Sequence, residues 1–325
     1  MPPIEMQDST KILRSLGEPI VKEAFDDLFK NRIASPMARR VLRRFSRRWT
    51  DYTRAALMVM SCQAVGGDAK SVRQAAKGLV LAGGAFDLHD DIIDRSFVRT
   101  EKGMKSVQDL FGMEASLLAG DALMIEGLIQ LSRMPGVPEE VAKKAVKVIQ
   151  EGLFELGSAE MEELQYIRNL DATPRSYLRI VRMKGADVES YTRVGAILGG
   201  GSVKEIDALG TFGRYLGMIC IIRDDIVDTF NDLVECRSRL TKESLPLPVL
   251  YSLKDERVKA MLRGFWSKPE NGQITDDEIG KLIELIHENR GFEKGQALID
   301  RYIRTAKSAL GPLKNAEPFE QLFYR

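Results

Sequence analysis

The sequence predicts an all-α protein, and three observations carry that expectation. Its long segments repeat apolar residues at intervals of three and four, the period of one helix face. Ala, Leu, Met, Glu and Lys dominate those segments, and all are strong helix formers. No run alternates apolar and polar residues over a convincing strand length. With 44% hydrophobic residues the chain can bury a large core, and no composition shift marks a boundary. The expected architecture is therefore one large helical bundle over residues 1–325, with short connections and a central cavity.

Taken in chain order, the first clear pattern is basic. Arg39-Arg40, Arg43-Arg44 and Arg47-Arg48 recur every four residues between Ala38 and Trp49, which lays a basic stripe along one helix. A solvated face is the plain explanation; contact with anionic lipid headgroups or a diphosphate is the functional one. Helical periods then run from Thr53 to Val65, Ser71 to Asp94, Met113 to Ser132, Pro138 to Gly157, Pro174 to Gly199, Val203 to Asp228 and Asp276 to Ser308. Gly66-Gly67-Asp68, Met134-Pro135-Gly136, Gly199-Gly200-Gly201, Leu245-Pro246-Leu247-Pro248 and 268–272 break the pattern between them. Gly78 to Leu88 and Leu216 to Ile222 are apolar around more than one stripe, which places both helices in the middle of the bundle.

Bulk charge excludes little but points away from nucleic acid, since 48 Lys and Arg face 47 Asp and Glu. Cys62, Cys220 and Cys236 lack metal-type spacing and read as free thiols of a reducing compartment. The N-terminal residues show no signal-peptide pattern, and no uninterrupted apolar run reaches the roughly 18 residues of a membrane span. A cytoplasmic protein is expected, with peripheral membrane contact open to it if its substrate is greasy.

The chemistry lies in a duplication. Asp90-Asp91-Ile92-Ile93-Asp94 recurs as Asp224-Asp225-Ile226-Val227-Asp228. On a helix the first and last carboxylates of D-D-x-x-D stand at i and i+4, on one face. A single copy would more simply be a solvated acidic face. Two copies, each embedded in apolar sequence, are costly unless a cation compensates the crowded carboxylates. Hard oxygen donors suit Mg²⁺, which bridges carboxylates to phosphate oxygens. Two such faces at the mouth of an apolar cavity describe a substrate with a diphosphate head and a hydrocarbon tail.

These motifs, together with Leu118-Ala119-Gly120-Asp121, Lys184-Gly185-Ala186, Arg223 and Leu245-Pro246-Leu247-Pro248, resemble the trans-isoprenyl diphosphate synthases, the family of farnesyl and geranylgeranyl diphosphate synthases. The resemblance runs from about Arg54 to Leu253. It implies an all-α isoprenoid-synthase fold, a homodimer paired through central helices such as Met113 to Leu131, and three Mg²⁺ ions held by the aspartate motifs. It also implies the reaction: an allylic diphosphate ionises, isopentenyl diphosphate attacks the cation, and a proton is lost. Asp90, Asp94 and Asp224 would be metal ligands, with Asp91, Asp225 and Asp228 as direct ligands or their supports. Arg99 and Lys184 would contact the allylic diphosphate.

The departures from the family pattern cluster at the second substrate. Where the family has Gly-Gly-Lys-x-x-Arg, this chain has Trp49 to Arg54, so Arg54 remains but Asp51 replaces the lysine. Gly83 stands for the family's His or Gln, and Thr100 for the second of two arginines. Gly185 and Ile221 replace a Thr and a Gln nearer the cation. Arg237, Arg239, Lys242, Lys102 and Lys105 are candidate substitutes for the missing diphosphate ligands. On the helix ending at Asp90, Ala85 and Ala82 leave the tail's path open and Phe86 forms a partial floor, which favours products of about C20 or longer.

The leading expectation is thus a Mg²⁺-dependent trans-prenyltransferase that condenses an allylic diphosphate with isopentenyl diphosphate. The alternative keeps the ionisation but transfers the prenyl group to a non-diphosphate acceptor or cyclises it. A third reading is a regulatory subunit of a heteromeric synthase.

Overall fold

The structure, a computed structural model, describes residues 4–93, 106–268 and 274–323, and the side chains from residue 10 onward. Among the described residues regular structure is helical, and the one β-type pairing is an isolated bridge between Ile167 and Ser244. The chain divides into two compact units. Met1–Gln150, Ser190–Gly210 and Leu310–Arg325 form the first; Glu151–Glu189 and Thr211–Ala309 form the second.

The first unit contains α1 (Ile4–Lys30), α2 (Pro36–Arg48), α3 (Thr53–Ala64), α4 (Arg73–Ile93), α5 (Val107–Phe111) and α6 (Met113–Leu131). Local chemistry fixes their ends. The Ser35 hydroxyl accepts the Ala38 amide at 3.2 Å, and Pro36 opens the first turn of α2, where its missing N–H costs nothing. Helices α4 and α6 pack closely along each other, and glycine makes the approach possible. A Cβ at Gly78 would stand 2.8 Å from the Gly127 carbonyl, and one at Gly127 would stand 2.7 Å from the Gly78 carbonyl. Eleven α4 residues between Ala75 and Leu88 are buried, as the all-round apolar sequence requires.

The second unit holds α8 (Pro174–Lys184), α11 (Leu233–Lys242), α12 (Leu247–Ser252), α13 (Glu256–Trp266), α14 (Asp276–Glu288) and α15 (Gly291–Ala309). The division between the units falls inside α7 (Glu139–Glu163), α9 (Ala186–Leu198) and α10 (Val203–Phe230). In the second unit Arg214 ties three segments together: it donates to Glu155 at 2.7 and 2.9 Å and to the Arg182 carbonyl at 2.7 Å, and it pairs with Glu189.

Two segments read as single helices are each two. Pro174 to Gly199 breaks at Gly185, where a Cβ would meet the Arg214 carbonyl at 2.8 Å. Asp276 to Ser308 breaks at Arg290, whose φ of 57° lies in the left-handed region. Gly291 follows because a Cβ there would lie 2.4 Å from the Pro248 carbonyl. The Leu245–Pro248 segment, read as a breaker, opens α12 instead, since a proline is tolerated in a helix's first turn.

Candidate active site

Each unit carries one aspartate motif at the end of a helix. In the first unit Asp90 and Asp91 lie in the last turn of α4, both half-buried. Asp94 and Arg99 lie outside the described residues, as do Thr100, Lys102 and Lys105. Next to the motif, His89 Nε2 stands 3.4 Å from the Asp121 carboxylate of α6.

One turn back on α4, Asp87 is drawn into a compact cluster. Arg54 donates to Asp51 at 2.5 Å and stands 3.8 Å from Asp87. Trp49 Nε1 donates to Asp87 at 2.6 Å. Gly83 is buried beside them: a Cβ would meet the Tyr191 hydroxyl at 3.1 Å and the Arg54 stem at 3.6 Å. The reversed charge at Asp51 is therefore an ion-pair partner of Arg54, and the lost histidine position is filled by Arg54 and Tyr191.

In the second unit the motif ends α10. Asp224 is exposed, Asp228 half-buried, and Asp225 has 0% exposure. Asp225 accepts from Tyr177 Oη at 2.5 Å, from the Leu247 amide at 3.0 Å and from Arg239 Nη1 at 3.0 Å. Both of its oxygens are engaged by protein donors, which favours the supporting role over direct ligation of a metal. It anchors the helix end instead. Arg239 also donates through Nε to Asp228 at 2.8 Å. Burial works to lower the Arg239 pKa, but Asp225 and Glu243 outweigh it and hold the guanidinium above the ordinary arginine range.

Lys184 pairs with Glu160 at 3.0 Å and with Glu163, which also accepts from Ser244 at 2.6 Å. Burial opposes ionisation of Glu163, yet Lys184 and Ser244 hold its pKa below the usual carboxylate value. Lys184 thus stands in an acidic pocket of its own unit.

Three expected substrate contacts have partners or packing of their own in the structure. Arg237 donates to the Ile274 carbonyl at 2.8 Å and pairs with Asp276, so it ties α11 to the start of α14. Arg239 is committed to Asp225 and Asp228. Ala85 has 0% exposure and packs inside the first unit, leaving no surface for a hydrocarbon tail, whereas Phe86 beside it keeps accessible surface. The Tyr177, Trp49 and Asp87 contacts carried no sequence signal, because each depends on a partner distant in the chain.

The polyprenyl synthetase family profile matches residues 38–285. This chain belongs to the polyprenyl synthetase family. It is 30% identical to the geranylgeranyl diphosphate synthase of Methanosarcina mazei over 81% of this chain and 79% of the relative. It is 28% identical to a short chain isoprenyl diphosphate synthase of Methanothermobacter thermautotrophicus, over 83% and 82% of the two chains. Its fold matches the geranylgeranyl pyrophosphate synthetase from Pyrococcus horikoshii with a TM-score of 0.85 at 23% identity, covering 96% of each chain. A polyprenyl synthase from Caulobacter crescentus, in complex with calcium and isoprenyl diphosphate, matches with a TM-score of 0.77 at 20% identity over 96% and 95% of the chains. The fold is the all-α fold of the isoprenyl diphosphate synthases, and the chain is a prenyltransferase.

Proposed function

We propose that this prenyltransferase condenses an allylic diphosphate with isopentenyl diphosphate, with Mg²⁺ bound at each aspartate motif, by Asp90 and Asp91 in the first unit and by Asp224 in the second. The single observation behind the metal assignment is that both aspartate motifs keep accessible carboxylates at helix ends, while the one fully buried aspartate is satisfied by protein. Among the described residues no three His, Cys, Asp or Glu side chains converge into a ready-made cage. That suits the donor set, because Mg²⁺ takes one or two carboxylates and completes its shell with water and phosphate oxygens. When bound, the ion supplies positive charge to the departing diphosphate.

The chain's own residues do the rest. Asp90 and Asp91 present carboxylate oxygens from one helix turn. Asp225, fixed by Tyr177 and Leu247, sets the orientation of the α10 end from which Asp224 projects. The allylic C–O bond breaks with its electron pair leaving on the diphosphate. The alkene of isopentenyl diphosphate then forms the new C–C bond, and a proton is lost to restore a double bond. Products of about C20 or longer fit the geranylgeranyl and geranylfarnesyl diphosphate synthases among its relatives.

Removing either metal ligand tests the reading. Asp90→Ala and Asp224→Ala should each lower kcat by about 10²–10³ or more, the scale of losing a principal electrostatic contribution. Near wild-type turnover of radiolabelled isopentenyl diphosphate in either variant would sink the metal assignment.

We further infer a homodimer. Leu117, Leu118, Ile125 and Leu128 of α6 are exposed at 47%, 66%, 60% and 49%, an apolar stripe that monomers rarely leave uncovered. By length and composition α6 is also apolar enough to cross a membrane, but Glu114, Asp121 and Glu126 interrupt it, and a partner's α6 covers such a face at lower cost. Light scattering should give about twice the 36.4 kDa chain mass; the monomer mass at micromolar concentration would reject the dimer.

A further inference from the structure

The position at which related enzymes are expected to grip the acceptor's diphosphate is electrically filled here. Arg54 stands between two carboxylates, Asp51 at 2.5 Å and Asp87 at 3.8 Å, so two negative charges already face its guanidinium. A diphosphate brought to it would meet like charge in a half-buried setting, where repulsion is poorly screened. Gly83 gives no relief, because its surroundings are occupied by Tyr191 and the Arg54 stem. Two of the substitutes expected further along the chain are engaged as well: Arg237 and Arg239 are tied to Asp276, Asp225 and Asp228.

Another set of cations stands beside the first motif. Helix α2 packs on α5 and α6 and touches α4 at two points: the Phe45 ring fills the space at Gly84, and Trp49, just past the end of α2, reaches Asp87. On α2 the arginines form two rows. Arg40, Arg44 and Arg48 follow one another at i, i+4 and i+8, on one face. Arg40 lies over the Phe111 ring of α5 at 5.4 Å, which turns this row toward α5. Arg43 lies over Phe29 of α1 at 5.5 Å, so the other row faces elsewhere. Arg44 and Arg48 are half-buried, whereas Arg40, Arg43 and Arg47 are exposed.

We propose that Arg44 and Arg48 bind the diphosphate of the acceptor, replacing the grip that Asp51 and Gly83 have removed. The proposal rests on the reading that the acceptor carries a diphosphate. Two guanidiniums one helical turn apart offer planar forks that match phosphate oxygens bidentately. The helix that carries them touches α4 through Phe45 at Gly84 and through Trp49 at Asp87, within two turns of the first metal-binding carboxylates.

The experiment varies isopentenyl diphosphate at saturating allylic diphosphate and Mg²⁺, in the full chain and in Arg44→Gln, Arg48→Gln and Arg43→Gln. Each of the first two should raise KM for isopentenyl diphosphate by about tenfold or more, the scale of one charge-assisted contact, while KM for the allylic substrate moves little. Arg48→Lys should recover part of the loss, and Arg43→Gln should behave as wild type. Thermal melts of every variant separate a binding defect from a folding defect. An unchanged KM in both variants, or a fall in kcat with KM constant, overturns the proposal. If wild type does not turn over isopentenyl diphosphate at all, the proposed acceptor is wrong, and inorganic pyrophosphate binding by calorimetry decides the site. Weaker binding in Arg44→Gln and Arg48→Gln then still supports an anion site on α2, and equal binding rejects it.

Discussion

The two aspartate motifs share a sequence pattern but occupy opposite kinds of surroundings. At the end of α4 the middle carboxylate, Asp91, is half-buried with the arginines of α2 nearby. At the end of α10 the corresponding carboxylate, Asp225, has 0% exposure and is held by a tyrosine hydroxyl, a backbone amide and an arginine. The pattern D-D-x-x-D thus fixes where carboxylates can point, whereas the packing around each copy decides which of them is left for a ligand. One copy keeps adjacent carboxylates accessible; the other converts its middle member into an anchor.

The largest expected difference lies in stability. Asp225→Asn removes one charge from a buried network and replaces one of its two acceptor oxygens by an NH2 group, so that either Arg239 or the Tyr177–Leu247 pair of donors loses its partner, a change of about 3–5 kcal/mol for a broken buried pair. Asp91→Asn acts on a half-buried group and should cost about 1 kcal/mol or less. Urea unfolding of the two variants checks the contrast. Equal midpoints would mean that Asp225 is no more an anchor than Asp91.

The helical character, the central burial of α4 and the positions of both motifs were legible because each rests on a short-range period. Gly78 to Leu88, apolar all round in sequence, is buried throughout except at Phe86 and Asp87, which bound the site. The breaks at Gly185 and Arg290 were not legible, since each answers to a distant carbonyl or a backbone twist rather than to local propensity. The same limit governs the site. The loss of the lysine at position 51 could be read directly, but its consequence, an Arg54 enclosed by Asp51 and Asp87, depends on contacts across 33 residues of chain. Charge alone also could not show that Arg237 and Arg239 have ion-pair partners, since only folding brings Asp276 and Asp225 near.

A second, intermediate contrast concerns the residues that precede each motif. Five residues before Asp90 stands Ala85, and five before Asp224 stands Ile219; both have 0% exposure, so neither presents surface to a tail. Four residues before Asp90, Phe86 does keep accessible surface. Phe86→Ala should therefore lengthen the longest product by one or more C5 units, each buried methylene contributing about 0.8 kcal/mol. Ala85→Phe should instead lower the melting temperature by overpacking, at a cost of about 1–3 kcal/mol. Product chromatography with melting curves separates the two, and a shortened product from a fully stable Ala85→Phe enzyme would show that this wall is the one the tail touches.

The smallest expected effect is a pH dependence that belongs to the second unit. Glu163 has a folded pKa lowered by Lys184 and Ser244 against the opposing effect of burial. A lowered carboxylate pKa means that its stabilisation is present above the unfolded value, about 4.3 for glutamate, and disappears as pH falls through the folded value. Melting temperature should therefore decline on the acid side of about pH 4.3, and Glu163→Gln should flatten part of that decline. Lys184→Gln should flatten it too, because the lysine is the largest of the influences that favour the charged glutamate. Exposed pairs such as Arg14 with Glu18 are screened by solvent and should add little to the slope. If the acid limb of Glu163→Gln runs parallel to that of wild type, the Lys184–Glu163 pair does not set the acid stability. Lys184 would then be held loosely enough to move toward a diphosphate with little loss of stability.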